Sequence, residues 1–495
     1  MTTQAGLNHY ERGLDLASAG KYQEGLQCIR EHLRTAPQDA QALNDAGAIL
    51  HCLGRTEDAL GYLTKARSLK SDSAEIVWNL VEAYLACGRA DEAIALFDSM
   101  DGMGILSIDV LNRAATTLID EGRKGPALEV LLHSCRLWPE QQVVQPMLDV
   151  IRSKRPGIAF FRGPDREDDA LADLCEFVRE RFQMELYDGR APQGIADLMR
   201  RGDIAWFDGG GDLLVEASSL GTPARILASL RRSDVHDAWA KAVRWENVSI
   251  VVQIGGATVE EVLVPPVPDI RNRTRLTVVP HGVNLRRYAL RRRERGKHLA
   301  CLGGLTLEAN PAFLVQCMQK LHYLDPAYRL SLAGTFESPT LEQYLRHMVR
   351  TLNLTEVVTF EPSAGDLNHW LSDKHFIVAG GIDDHQTEAL LAGMACGLKP
   401  VIHHFPGAER LFPAQHVFTI AEQFCEQALA RDYEPQQYRR FVEQRYPITQ
   451  QWNGINGILQ QIETEIESRP QGAATDASGE VRAGQSRDGL RLLTR

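Results

Sequence analysis

Four glycines, Gly20, Gly54, Gly88 and Gly122, recur at intervals of 34 residues. Five positions after each stands a small residue, Gly25, Ala59, Ala93 and Ala127, and then an aliphatic one, Leu26, Leu60, Ile94 and Leu128. Three positions holding register over four copies define an internal repeat. From Lys154 the pattern changes. Short apolar runs (PGIAFFRG, QMELYD, GDIAWFDG, ARILASL, NVSIVVQIGG) alternate with helical patterns such as REDDALADLCEFVRERF. A second set follows TRLTVVPHGVNLRRY: KHLACLGGL, YRLSLAGTF, VVTFEP, HFIVAGG and KPVIHHF, again with helical segments between. Such alternation predicts doubly wound parallel sheets, and two sets predict two Rossmann-like domains in tandem. Ligands of these sheets sit outside the carboxyl ends of the strands, so two facing halves would build a cleft.

The 34-residue period and the segment GRTEDALGYLTKA resemble the tetratricopeptide repeat, which implies two antiparallel helices per unit, stacked into a solenoid. Pro37 and Pro139 stand where that family ends a unit, whereas Ser71 and Ile105 depart from it. The resemblance implies a protein or peptide partner held by the repeats; a brace for the downstream domains is an equal alternative. The expected fold is therefore α/β with an N-terminal all-α repeat. Its parts are a solenoid at 1–150, an acceptor-side domain at 151–290, a nucleotide-sugar-side domain at 291–467 and a disordered tail at 468–495.

Composition narrows the function. Of 495 residues, 54 are Lys or Arg and 65 are Asp or Glu, a net charge of -11 that argues against general nucleic-acid binding. No run is apolar and long enough for a membrane span and the N-terminus is not patterned as a signal peptide, so a cytoplasmic protein is expected. The 9 cysteines stand singly without a CxxC pair, which predicts buried thiols rather than disulfides or zinc, and no acidic cluster suggests another metal.

Three segments carry a further resemblance: PHGVN (Pro280 to Asn284), LSLAGTF (Leu330 to Phe336) and LLAGMACGLKPVIHHFPGAERLF (Leu390 to Phe412). In order and spacing they are similar to retaining nucleotide-sugar glycosyltransferases of the GT-B fold, over Arg155 to about Glu467. The resemblance implies transfer of a sugar from a nucleoside-diphosphate donor, the substrate, to a glycan, lipid or protein acceptor, with no other cofactor. In that family one glutamate enters the sugar pocket and another, eight residues on, holds the ribose. Here these positions are Asp384 and Ala392, with Glu388 between them at helical spacing. Asp384 and Glu388 are therefore the candidate catalytic carboxylates.

The family's diphosphate-gripping basic pair falls on Gly303-Gly304 and on Glu308-Ala309-Asn310-Pro311, so both cations are absent. A carboxylate about 4 Å from a phosphate would cost roughly 4 kcal/mol at an effective dielectric near 20. Gly303, Gly304, Thr306, Asn310 and Gly334 remain as candidate donor-binding positions, through backbone N–H groups and short polar side chains. In the first domain ASLRRSD places Arg231 or Arg232 where the family carries a histidine. Two functions follow as expectations: a glycosyltransferase with a rebuilt donor pocket, or an inactive relative kept as a scaffold or regulatory partner of an active one.

Other features have both a functional and a plain reading. Asp208-Gly209-Gly210-Gly211-Asp212 opens a helix after a strand, as a phosphate or acceptor loop or as a permissive turn. His281, His403 and His404 read as structural histidines. Lys399 reads as a replacement phosphate contact or a solvated lysine. Ten cations fall within 27 residues: Arg271, Arg273, Arg275, Arg286, Arg287, Arg291, Arg292, Arg293, Arg295 and Lys297. They form a patch for an anionic lipid or glycan, or a solvated connector.

Overall fold

The computed structural model describes residues 2–142, 144–162, 169–188, 194–235, 237–255, 258–291, 293–362 and 365–468. Beyond Ser468 the expected tail lies outside the described residues, as does Arg292 of the basic run. The chain divides into two compact units, Met1–Arg155 and Pro156–Arg495.

The first unit is helical throughout, and each repeat glycine ends a helix. Gly20, Gly54, Gly88 and Gly122 have φ between +71° and +77°, a conformation that glycine adopts without a Cβ penalty. The next residue then donates back across the turn, Lys21 N to Leu16 O, Arg55 N to Leu50 O, Arg89 N to Tyr84 O and Arg123 N to Leu118 O. This six-to-one bond is the Schellman C-cap, repeated four times. The small residues of the repeat are buried where helices meet. A Cβ on Gly25 would lie 2.8 Å from the carbonyl oxygen of Gly13 on the preceding helix, and Ala59, Ala93 and Ala127 are fully buried. Leu26, Leu60 and Leu128 join one continuous apolar core running from Leu26 to Ile151. The departure at Ile105 has a local cause. The second helix of the third unit is broken into Ala90–Ile94 and Phe97–Gly102, and Gly104-Ile105 closes it with another such cap.

The second unit holds two six-stranded parallel sheets. The first contains β1 (Ile158–Arg162), β2 (Met184–Asp188), β3 (Ile204–Asp208), β4 (Arg225–Leu230), β5 (Val248–Ile254) and β6 (Arg275–Val279), in the order β2-β1-β3-β4-β5-β6. The second contains β7 (His298–Leu302), β8 (Arg329–Ala333), β9 (Val358–Glu361), β10 (Phe376–Ala379), β11 (Lys399–His403) and β12 (Val417–Phe418), in the order β12-β11-β10-β7-β8-β9. Central strands buried on both faces explain the unbroken apolar runs of the sequence.

Two connections join the halves side by side, with Val283 N donating to Tyr446 O at 2.9 Å. One assignment from sequence changes here. The final helix, Ile448–Glu467, packs on the first sheet rather than the second: Ile455, Ile458, Leu459 and Ile462 fill the core with Ile158, Phe160 and Trp206. Trp452 stacks on Phe177 at 5.1 Å. The helix carries an apolar stripe that must be covered, and the open face of the first sheet covers it.

Several members of the basic run are engaged within the fold. Arg275 pairs with Glu465 at 2.9 Å and Lys297 with Asp325 at 2.7 Å. Arg287 Nε donates to buried Asp173 at 2.7 Å. Arg293 donates to the carbonyls of Leu371, Ser372, Lys374 and Cys396. Arg295 reaches Ala428 O, Ala430 O and the Tyr328 hydroxyl. These guanidiniums satisfy carbonyls and carboxylates that folding would otherwise leave without partners.

Candidate functional site

In the second sheet the strand order reverses between β7 and β10, and the crevice outside such a switch point is where an open α/β sheet receives its ligand. The loops leaving β7, β8 and β10 meet there. Gly303 has φ +120°, and a Cβ on Gly334 would stand 1.8 Å from the Gly303 carbonyl oxygen, so β7 and β8 exit with their backbones in contact. Gly303 and Gly304 are exposed. Thr306 Oγ1 accepts from Ala309 N at 3.1 Å and shapes the loop. Asn310, left-handed at φ 49°, precedes the helix Pro311–Leu324. Ile382 N donates to Glu308 O at 2.9 Å, tying this loop to the one after β10. All five sequence-derived donor positions thus lie together at the switch point, and the Glu308 side chain faces solvent.

The loop after β10 leads into the helix Thr387–Ala395. Asp384 is buried, and its carbonyl accepts from Thr387 N at 3.0 Å. Gln386 is buried too, its Nε2 donating to Leu302 O at 3.3 Å at the end of β7. Among the described residues, Gln386 Oε1 and Thr387 Oγ1 have no hydrogen-bond partner, although both atoms are buried. Neither residue was singled out from sequence. Their signal was the polar run His385-Gln386-Thr387 between an apolar strand and an apolar helix. Ala392, where a ribose-holding carboxylate would stand, is buried.

Glu388, the other candidate carboxylate, is held by an arginine of the first half. Its Oε1 lies 3.2 Å from Arg231 Nη2 and 3.3 Å from Arg231 Nε, a salt bridge reaching from the second half to the end of β4 in the first. His281 Nδ1 is 3.9 Å from the same oxygen. Burial holds the His281 imidazole below its ordinary pKa against the opposing pull of Glu388 and Asp384, which keeps the ring neutral. The Nε2 side of the ring comes close to Gly255, where a Cβ would sit 2.3 Å from Nε2.

A second charged link joins the halves: Glu261 accepts from Arg410 at 2.7 Å and from Arg232 at 3.3 Å. Arg410 first, then Arg232, holds the Glu261 carboxyl below its ordinary pKa. Asp383 binds the His385 imidazole.

The loop after β3 meets the same region from the first half. Asp208 is buried and accepts from the Ser229 hydroxyl at 2.8 Å, which in turn accepts from Trp206 Nε1 at 2.9 Å. Gly210 lies under the Trp239 ring, where a Cβ would be 2.0 Å from the indole, so packing requires glycine there, while Gly209 and Gly211 take φ of +107° and +124°, a conformation that favours glycine. A cavity of about 20 Å³, room for one water, is lined by Asp208, Arg231, Gly282, Glu388, Gln451 and Trp452.

Lys399 takes neither role read from the sequence. It begins β11 at the far end of the sheet, buried, with Nζ 3.0 Å from Asp432 O and 3.1 Å from Asp432 Oδ1. His403 Nδ1 contacts Gly381 O at 3.1 Å and its ring meets Phe313 edge-on, while His404 pairs with Glu409. Among the described residues no group of three or more His, Cys, Asp or Glu is placed to hold a metal ion, and no helix is long and apolar enough to cross a membrane.

The tetratricopeptide repeat family matches residues 10–74 and 52–102. No curated protein sequence matches the chain. Among solved structures, it is similar to a mutant O-GlcNAc transferase of Thermobaculum terrenum, at 13% identity over 94% of this chain and 98% of that one, with a TM-score of 0.39. It is similar to Alr3699/HepE of Anabaena in complex with UDP-glucose, at 13% identity over 63% and 100% of the chains, with a TM-score of 0.48. A glycosyltransferase from Rickettsia africae ESF-5 matches at 12% identity over 62% and 99%, with a TM-score of 0.47. By its repeats and its own sheet topology, the chain is a tetratricopeptide-repeat array joined to a tandem pair of Rossmann-type halves.

Proposed function

We propose that the α/β unit transfers a sugar from a nucleoside-diphosphate donor held at the carboxyl edge of the second sheet, to a glycan or protein acceptor that the repeats recruit. The observation that carries this reading is the pair of buried, unpartnered oxygens of Gln386 and Thr387, among the described residues, at the start of the helix Thr387–Ala395 and beside the exposed Gly303-Gly304 turn. A helix N-terminus presents N–H groups and a partial positive charge to an anion, and the Thr387 hydroxyl can donate to a phosphate oxygen. In the transfer, the bond from the anomeric carbon to the diphosphate oxygen breaks and its electron pair stays on the diphosphate. The acceptor oxygen bonds the anomeric carbon and its proton passes to the diphosphate or solvent. Asp384 is the carboxylate assigned to the donor sugar.

A second reading, an inactive scaffold, is favoured by the Glu388–Arg231 bridge across the cleft and by Ala392 in place of a ribose-holding carboxylate. Incubation with a panel of nucleotide sugars separates the two. Release of nucleoside diphosphate that Gly304→Trp and Asp384→Ala abolish supports the transferase. Absence of release from the folded protein with every donor, with and without an acceptor extract, leaves the scaffold.

A further inference from the structure

The three loops at the proposed donor site, Gly303 to Pro311, Gly334 to Ser338 and Gly380 to Thr387, contain no lysine or arginine. They carry Glu308, Glu337, Asp383 and Asp384 instead. A nucleoside diphosphate brings at least two negative charges, and fixed cations are the usual means of stabilising a phosphate leaving group. On the second half, Arg410 from the segment after β11 is engaged by Glu261. A cation reaches the first turn of the helix Thr387–Ala395 from the other half. Arg231 bonds Glu388, the second residue of that helix, through both Nε and Nη2.

We infer that Arg231 is the donor-phosphate cation of this protein, supplied across the cleft, and that Glu388 is its placeholder when no donor is bound. The inference rests on the donor reading above. Three features carry it. Arg231 N donates to Asp234 Oδ2 at 2.7 Å, which fixes the turn after β4 and hence the root of the side chain. The Arg231 side chain is one-fifth exposed, open enough to accept a ligand and sheltered enough for the charge to act strongly. Guanidinium geometry matches phosphate as well as carboxylate, in paired parallel hydrogen bonds, so a phosphate at the first turn of the helix can take over the contact that Glu388 makes. The cations absent from the loop after β7 are thereby replaced by one from the opposite half, and donor binding becomes dependent on the two halves being together.

The test is calorimetric titration of the full-length protein with UDP, ADP and GDP, repeated on Arg231→Gln, Arg231→Lys and Glu388→Gln, with thermal unfolding as the check on folding. The inference expects Arg231→Gln to weaken the best-bound diphosphate by about tenfold or more, Arg231→Lys to weaken it less, and Glu388→Gln to tighten it by removing the competing carboxylate. A structural role alone would not produce tightening, and this variant carries the test if Arg231→Gln does not fold. Equal affinity in wild type and Arg231→Gln, or weaker binding in Glu388→Gln, overturns the inference and leaves the donor reading standing. No binding of any of the three by the wild type overturns both.

Discussion

Gly334 and Gly303 lie back to back at the exits of β8 and β7, so close that a Cβ on Gly334 would stand 1.8 Å from the Gly303 carbonyl oxygen. A backbone atom cannot step aside as a flexible side chain would. Gly334→Ala should therefore lower stability by about 1–3 kcal/mol or more. Gly304→Ala meets only the Thr306 methyl, at 3.3 Å, and should change it by less than about 0.5 kcal/mol. Urea unfolding of the two variants makes the comparison, and equal effects would show that the exits are not in contact.

In the repeat unit, Gly25 and Gly61 predict opposite signs. A Cβ at Gly25 meets Gly13 O at 2.8 Å, so Gly25→Ala should destabilise by about 1–3 kcal/mol. Gly61, within the helix Thr56–Leu69, meets nothing within 4 Å. Gly61→Ala should stabilise by about 0.5–1 kcal/mol by limiting the unfolded chain. Far-ultraviolet circular dichroism during thermal unfolding reads both.

Burial beside Tyr438 and the Lys399 ammonium pushes the His416 imidazole down to about 4, from an ordinary value near 6.5. The unfolded chain then binds the extra proton between those values. The contribution is complete above about pH 6.5 and is lost as pH falls toward 4, on the order of 3 kcal/mol in all. His416→Gln should flatten the difference in unfolding free energy between pH 7 and pH 4.5 relative to wild type. Parallel pH profiles for the two proteins would contradict the assignment.

The arginines of the connector differ by what they bind. Arg293 donates to four main-chain carbonyls, so Arg293→Ala should cost about 1–3 kcal/mol by leaving those acceptors without partners. Arg286, exposed, should be nearly neutral to the same change. Denaturant midpoints decide between this account and one in which the run is simply solvated.

Much of the architecture was legible because local rules imposed it. A glycine every 34 residues announces a left-handed helix end wherever it occurs, and the strands of a sheet buried on both faces have to be continuously apolar. The exits at Gly303 and Gly334 were visible for the same reason: backbone contact leaves glycine in the sequence. What could not be read was which side chain meets which across the fold. Glu388 and Arg231 are 157 positions apart, and no spacing announces their bond. The stripe Ile455, Ile458, Leu459 and Ile462 says that the last helix is buried, without naming the first sheet as its cover. The clustered arginines read from sequence as a patch for an anionic partner or as a solvated connector, and neither reading announces that Arg275, Arg287, Arg293 and Arg295 bind the chain's own carbonyls and carboxylates.

The central claim, a donor site at the start of the helix Thr387–Ala395, is tested most directly by the shift in unfolding free energy of the full-length protein with saturating nucleoside diphosphate. At a hundred times the dissociation constant the account predicts a gain of about 2.7 kcal/mol in the wild type and none in Gly304→Trp. No gain with UDP, ADP or GDP, or an equal gain in Gly304→Trp, would contradict it.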